Sequence, residues 1–160
     1  MKEKVYVETS VVSYLCSRPS RDLIVAASQE VTHEWWDKER SHYDLFVSEF
    51  VLSEIAEGDR VAALKRQEVV QGIAILTASE ASERLASKIM KGLKLPGSIA
   101  DDAAHISIAS VQGVDYLLTW NCAHIANPHW LAKLVGIITA CGYVMPVICT
   151  PQGLLEGKRP

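Results

Sequence analysis

Five short apolar runs, each separated from the next by segments with helical spacing, constrain this chain more than any other feature. The runs are Val5–Val7, Asp44–Val47, Ile73–Leu76, Val114–Thr119 and Pro146–Cys149. Their length and β-branched and aromatic content suit strands. Between them lie predicted helices at Val11–Leu15, Arg21–Arg40, Glu49–Glu57, Val61–Val70, Ser79–Leu93, Ile99–Val111 and Trp130–Ala140. Ile24, Ala27, Val31 and Trp35 mark the apolar stripe of the second of these. Pro19 and Ser20 suit its start, Ser48 suits a cap on the third, and Gly58 suits that helix's end. The residues from about 151 onward read as a short C-terminal tail, frayed over Glu156–Pro160.

Strands alternating with helices predict an α/β fold with a parallel sheet covered on both faces. At 160 residues the chain is one domain with room for a real core. In such sheets ligands bind beyond the carboxyl ends of the strands. That rule ranks the polar residues. Glu8, Thr9 and Ser10 follow the first strand, and Thr119, Trp120 and Asn121 close the fourth. Asp115 opens the fourth strand at the opposite edge and is discounted.

Glu54 sits inside an otherwise apolar helix, flanked by Val51 and Ile55, which places it at the rim of the core. Asp101 and Asp102 open the helix that leads into the fourth strand. Carboxylates converging in a cleft repel unless a cation lies between them. Hard divalent ions such as Mg²⁺ take oxygen ligands, and a metal so held can activate water against a phosphodiester. Each residue also has a plainer role. Glu8 could instead be a solvated strand end, though that is the minority reading; Thr9 and Ser10 read evenly as helix caps, Asn121 could merely make a turn, and His105 is more often a core histidine than a ligand. Ser98-x-x-Asp101 fits a capping box. Asp102 has no such structural alternative.

Several classes are excluded. Neither G-x-G-x-x-G nor G-x-x-x-x-G-K-[ST] occurs, so dinucleotide and P-loop sites are not expected. No apolar run reaches membrane-spanning length and no signal peptide opens the chain, which predicts a cytoplasmic protein with four reduced cysteines. Cys122-x-His124 lacks two further partners for zinc. The formal net charge of −3 argues against broad nucleic-acid binding but not against a nuclease whose metal supplies the positive charge.

The run Val5–Leu15, with Glu8-Thr9-Ser10 at its centre, resembles the opening of PIN-domain proteins. Val47–Ile55 is similar to the segment carrying their second acid. Asp102–Ala109 resembles their third block, and Asp115–Asn121 their last strand and the position after it. The four blocks stand in the family's order and span nearly the whole chain, with VapC-like toxins of toxin–antitoxin pairs the nearest resemblance. The resemblance implies a single PIN-like domain over 1–160. It also implies a Mg²⁺- or Mn²⁺-dependent endoribonuclease, with Glu8, Glu54, Asp102 and Asn121 at the catalytic site. Glu8, Glu54 and Asp102 would be the metal ligands, and Thr9, Ser10 and Asp101 would support them. RNA substrate, an antitoxin and a homodimer are the implied partners. Two residues depart from the pattern: Glu8 stands where Asp is usual, and Asn121 where Asp is common. The extra methylene of Glu8 could shift the metal or leave it reached through water, and Asn121 removes a charge that a second metal would need, so the expectation is one tightly bound metal or a slow enzyme. The two departures also feed an alternative, a degenerate PIN module that binds RNA or a protein without cutting. Trp36, about 100° round the helix from Trp35, is expected to be exposed and to stack an RNA base or pack against a partner chain, with partner packing favoured.

Overall fold

The computed structural model describes residues 1–157. Five strands form one sheet: β1 (Lys4–Val7), β2 (Asp44–Ser48), β3 (Ala74–Leu76), β4 (Tyr116–Leu118) and β5 (Val147–Cys149). Their order is β3-β2-β1-β4-β5 and every pair is parallel. Eight helices cover it among the described residues: α1 (Thr9–Cys16), α2 (Leu23–Lys38), α3 (Glu49–Ile55), α4 (Arg60–Val70), α5 (Glu80–Gly92), α6 (Ala100–Val111), α7 (Pro128–Ala140) and α8 (Pro151–Glu156). This is a single α/β domain with an all-parallel sheet flanked by helices, as the alternation of runs predicts. No described helix is long and apolar enough to cross a membrane.

β1 lies at the centre, and Val5, Tyr6 and Val7 are fully buried. The chain moves outward from β1 through β2 to β3, then crosses to β4 on the other side. The order therefore reverses between β1 and β4, and the carboxyl ends of those two strands flank a topological switch point. Asp115 stands at the other edge, where its carboxylate accepts the Lys4 amide at 2.7 Å.

Several boundaries differ from the sequence reading for local reasons. Asp22, not Pro19 or Ser20, caps α2 by accepting from the Ile24 and Val25 amides. The helix at Ser98 opens with a 3₁₀ turn, Gly97–Ile99. The cap of α6 is then Ile99, which makes no side-chain bond, so the Ser98–Asp101 capping box does not form. The short tail expected from about 151 opens as a helix: Thr150 caps α8, which packs against α2 and ends at Glu156, the first residue of the stretch expected to fray. Lys158, Arg159 and Pro160 lie outside the described residues. Trp35 is fully buried, as its stripe predicts. Trp36 is half-buried, with the Arg40 guanidinium 4.7 Å from its ring centre, so it is less open to a partner than expected.

Candidate active site

β1 hands the chain to α1 through Glu8, whose extended backbone (φ −80°, ψ 158°) makes it the N-cap. The sequence reading gives that role to Thr9 or Ser10. The structure instead places both inside the helix and frees their hydroxyls. Glu8 Oε2 accepts from the Ser10 amide at 3.0 Å, from the Ser10 hydroxyl by a short bond, and from the Thr119 hydroxyl at 2.8 Å. Ser10 Oγ in turn accepts the Trp120 amide at 2.8 Å. The ends of β1 and β4 are thus stitched together around one carboxylate oxygen. Glu8 is 5% exposed, so it is not a solvated strand end.

Glu54 projects from α3 towards the same edge. Its Oε1 accepts the Thr9 hydroxyl at 3.0 Å and lies 2.5 Å from His105 Nε2. His105 is wholly buried, and its Nδ1 lies 2.6 Å from the Tyr6 hydroxyl. Tyr6 also contacts Ser48 Oγ at 2.7 Å, the same hydroxyl that caps α3 through the Val51 amide. Burial by itself would raise the Glu54 carboxyl. The adjacent His105, with the Thr9 hydroxyl, outweighs it and leaves Glu54 below its ordinary range.

Asp102 occupies the first turn of α6. Its Oδ1 accepts the Asn121 side-chain amide at 3.1 Å, and its Oδ2 lies 2.8 Å from His124 Nδ1. The loop after β4 holds itself in place: the Asn121 amide donates to Thr119 Oγ1 at 2.9 Å, and the His124 amide to Asn121 Oδ1 at 3.0 Å. Trp130 stacks on His124 with ring planes 5° apart. Burial raises the Asp102 carboxyl above its usual range; the His124 bond offsets this only in part, and Glu54 adds to it. Asp101 is exposed.

The structure therefore joins Glu8, Ser10, Asp102 and Asn121 into one hydrogen-bonded network through Thr119, pairs Glu54 with Thr9 and His105 in a second one, and leaves Asp101 outside both. Sequence reasoning missed Tyr6 and His124 as members, ranked Thr119 only by its place at the end of the fourth strand, and took His105 only for a core histidine. His105 had a signal: it stands three residues after Asp102 on one helix, a spacing that puts both on one face. Thr119 had its place at the carboxyl end of a strand but nothing that named its partner, and Tyr6 carried no signal, since a strand residue announces a face but not a partner.

The donor chemistry bears on the metal. Among the described residues, no three His, Cys, Asp or Glu side chains are gathered to hold a metal by themselves. Both oxygens of Asp102 are engaged. Glu8 and Glu54, however, each bond through a single oxygen, and no described protein donor reaches Glu8 Oε1 or Glu54 Oε2. A hydrated Mg²⁺ is held through one or two carboxylates and keeps several waters. These residues fit that mode and not a closed protein cage.

No family model matches the chain, and no curated protein does. Among solved structures, it is similar to a chain of VapBC2 from Rickettsia felis, bound there to a DNA fragment from their promoter. The TM-score is 0.60 at 11% identity, over 92% of this chain and 98% of that one. At that identity the likeness is one of fold.

Proposed function

We propose that the protein is a metal-dependent endoribonuclease whose site is the carboxylate edge at the β1–β4 switch point. The observation that carries this reading is the pair of bare oxygens, Glu8 Oε1 and Glu54 Oε2, on two glutamates otherwise held by hydrogen bonds. Mg²⁺ or Mn²⁺ would bind there, and Asp102 stands close enough to Glu54 to feel its charge. When bound, the ion supplies the positive charge that stabilises negative charge building on the phosphoryl oxygens. The protein groups do the rest. Thr9, Ser10 and Thr119 keep the two glutamates from turning away. Asp102, oriented by Asn121 and His124, accepts a hydrogen bond from the attacking water and aligns it. A net charge of −3 leaves phosphate attraction to the metal. From the sequence resemblance to PIN-domain toxins we extend the reading to an antitoxin partner and a homodimer in the cytoplasm.

The test is cleavage of a labelled RNA pool with Mn²⁺, with EDTA, and with Asp102→Asn, beside a labelled DNA pool. Cutting of RNA that requires both Mn²⁺ and Asp102 supports the proposal. Folded protein that cuts nothing in any metal supports a second reading, a PIN-fold module that binds RNA or a protein without cutting. The double engagement of Asp102 by Asn121 and His124 favours that alternative. Calorimetry is expected to find one Mn²⁺ per chain; two tight ions would refute the single-metal site.

A further inference from the structure

Tyr6, Ser48 and His105 form a buried polar row behind Glu54, and the proton inventory of that row has only one complete solution. Ser48 and His105 are fully buried, as is Tyr6. Ser48 Oγ accepts the Val51 amide, and its own hydrogen has no described acceptor except the Tyr6 oxygen. Tyr6 has one hydrogen to give. If Tyr6 gave that hydrogen to Ser48, the Ser48 hydrogen would be left in the core without an acceptor, which costs about 1–3 kcal/mol. The alternative satisfies every group. Ser48 donates to Tyr6, Tyr6 donates to His105 Nδ1, and His105 must then carry its hydrogen on Nε2, facing Glu54 Oε1.

We propose that Ser48, Tyr6 and His105 are a one-way donor relay that places the His105 ring hydrogen on Nε2 and makes His105 the positioning residue for Glu54. The relay pins Oε1 and leaves Oε2 turned to the cleft. Edge-on contacts from Tyr6 at 5.8 Å and Phe50 at 6.2 Å between ring centres stop the imidazole from rotating. The metal-binding consequence rests on the proposed function; the tautomer does not.

The experiment reads the two separately. A long-range proton–nitrogen correlation spectrum of the ¹⁵N-labelled full chain, metal-free at neutral pH, is expected to show His105 protonated at Nε2 and unprotonated at Nδ1. The His105→Gln spectrum supplies the assignment. Tyr6→Phe is expected to shift the His105 Nδ1 resonance, because Nδ1 loses its donor, while the Glu54 carboxylate keeps the hydrogen on Nε2. Protonation at Nδ1, at both nitrogens, or a pattern unmoved by Tyr6→Phe would overturn the relay. In parallel, Mn²⁺ titration by its paramagnetic effect on water is expected to show a midpoint raised about tenfold in His105→Leu, as for lost partners of metal ligands. His105→Gln, which keeps an N–H near the Nε2 position, is expected to restore most of it. If the residue only fills the core, Leu should be the better replacement, and that order would overturn the positioning role. Wild-type protein that ignores Mn²⁺ but shows the Nε2–H signature would refute the nuclease reading and leave the relay standing.

Discussion

Replacing Thr119 with Val tests how much the stitched strand ends matter. Thr119 is fully buried, so Val fills the same space and opens no cavity. The loss is the hydroxyl alone, but that hydroxyl works twice: it donates to Glu8 at 2.8 Å and accepts the Asn121 amide at 2.9 Å. A hydrogen bond to a carboxylate contributes about 1.5–3 kcal/mol. The Asn121 amide is left without its partner in a half-buried loop, which adds about 1 kcal/mol, the lower end for an orphaned donor. The sum is about 3 kcal/mol. Urea unfolding followed by circular dichroism reads it directly. With a slope of about 2 kcal/mol/M, the midpoint should fall by about 1.5 M with the slope unchanged. Ser28→Ala serves as the control, since that hydroxyl bonds only within an exposed turn of α2; it should stay within about 0.5 kcal/mol of wild type. A Thr119→Val midpoint indistinguishable from the control would refute the view that this hydroxyl ties Glu8 to the β4 loop.

Glu54→Gln and Asp102→Asn should show opposite pH dependences in the same unfolding assay. The lowered Glu54 carboxyl stabilises the fold above its unfolded value of about 4.3, and that is lost as pH falls through the folded value. Glu54→Gln should therefore be less stable than wild type at pH 7 and converge with it in acid. The raised Asp102 carboxyl costs stability increasingly from about pH 3.9 up through its folded value. Asp102→Asn should thus be at least as stable as wild type at pH 7 and lose that margin in acid, while losing RNA cleavage. Gly92→Ala should fall short of the roughly 1 kcal/mol that Ala normally adds to a helix, because its Cβ would sit 2.6 Å from Ile137 Cδ1. Adding Ile137→Val, which removes that methyl, should recover the gain in a double-mutant cycle. EDTA should abolish cleavage while shifting thermal unfolding little, since Glu8 and Glu54 are held by protein donors without an ion.

What the chain order alone determined was the kind of fold and the edge that matters. Element type is written locally, in a period of two against 3.6, so the five runs and their intervening helices were legible. The parallel sheet then followed, and with it the edge where Glu8 and Asn121 emerge. Glu54 and Asp102 were legible as acids in places where an apolar face or a first turn limits their surroundings. The tertiary structure decided which groups each acid touches. His105 meets Glu54 across 51 residues, Tyr6 meets His105 across 99, and Thr119 meets Glu8 across 111. No periodicity encodes such pairings, because they depend on strand order and on which helix faces dock. The same holds for α8, a helix of 6 residues. A segment that short has too few internal hydrogen bonds to offset its nucleation cost, so its helicity comes from packing against α2. The local pattern places each donor and acceptor on a rigid element, and only the packed arrangement of those elements decides whether its partner is a proton, a carboxylate or water.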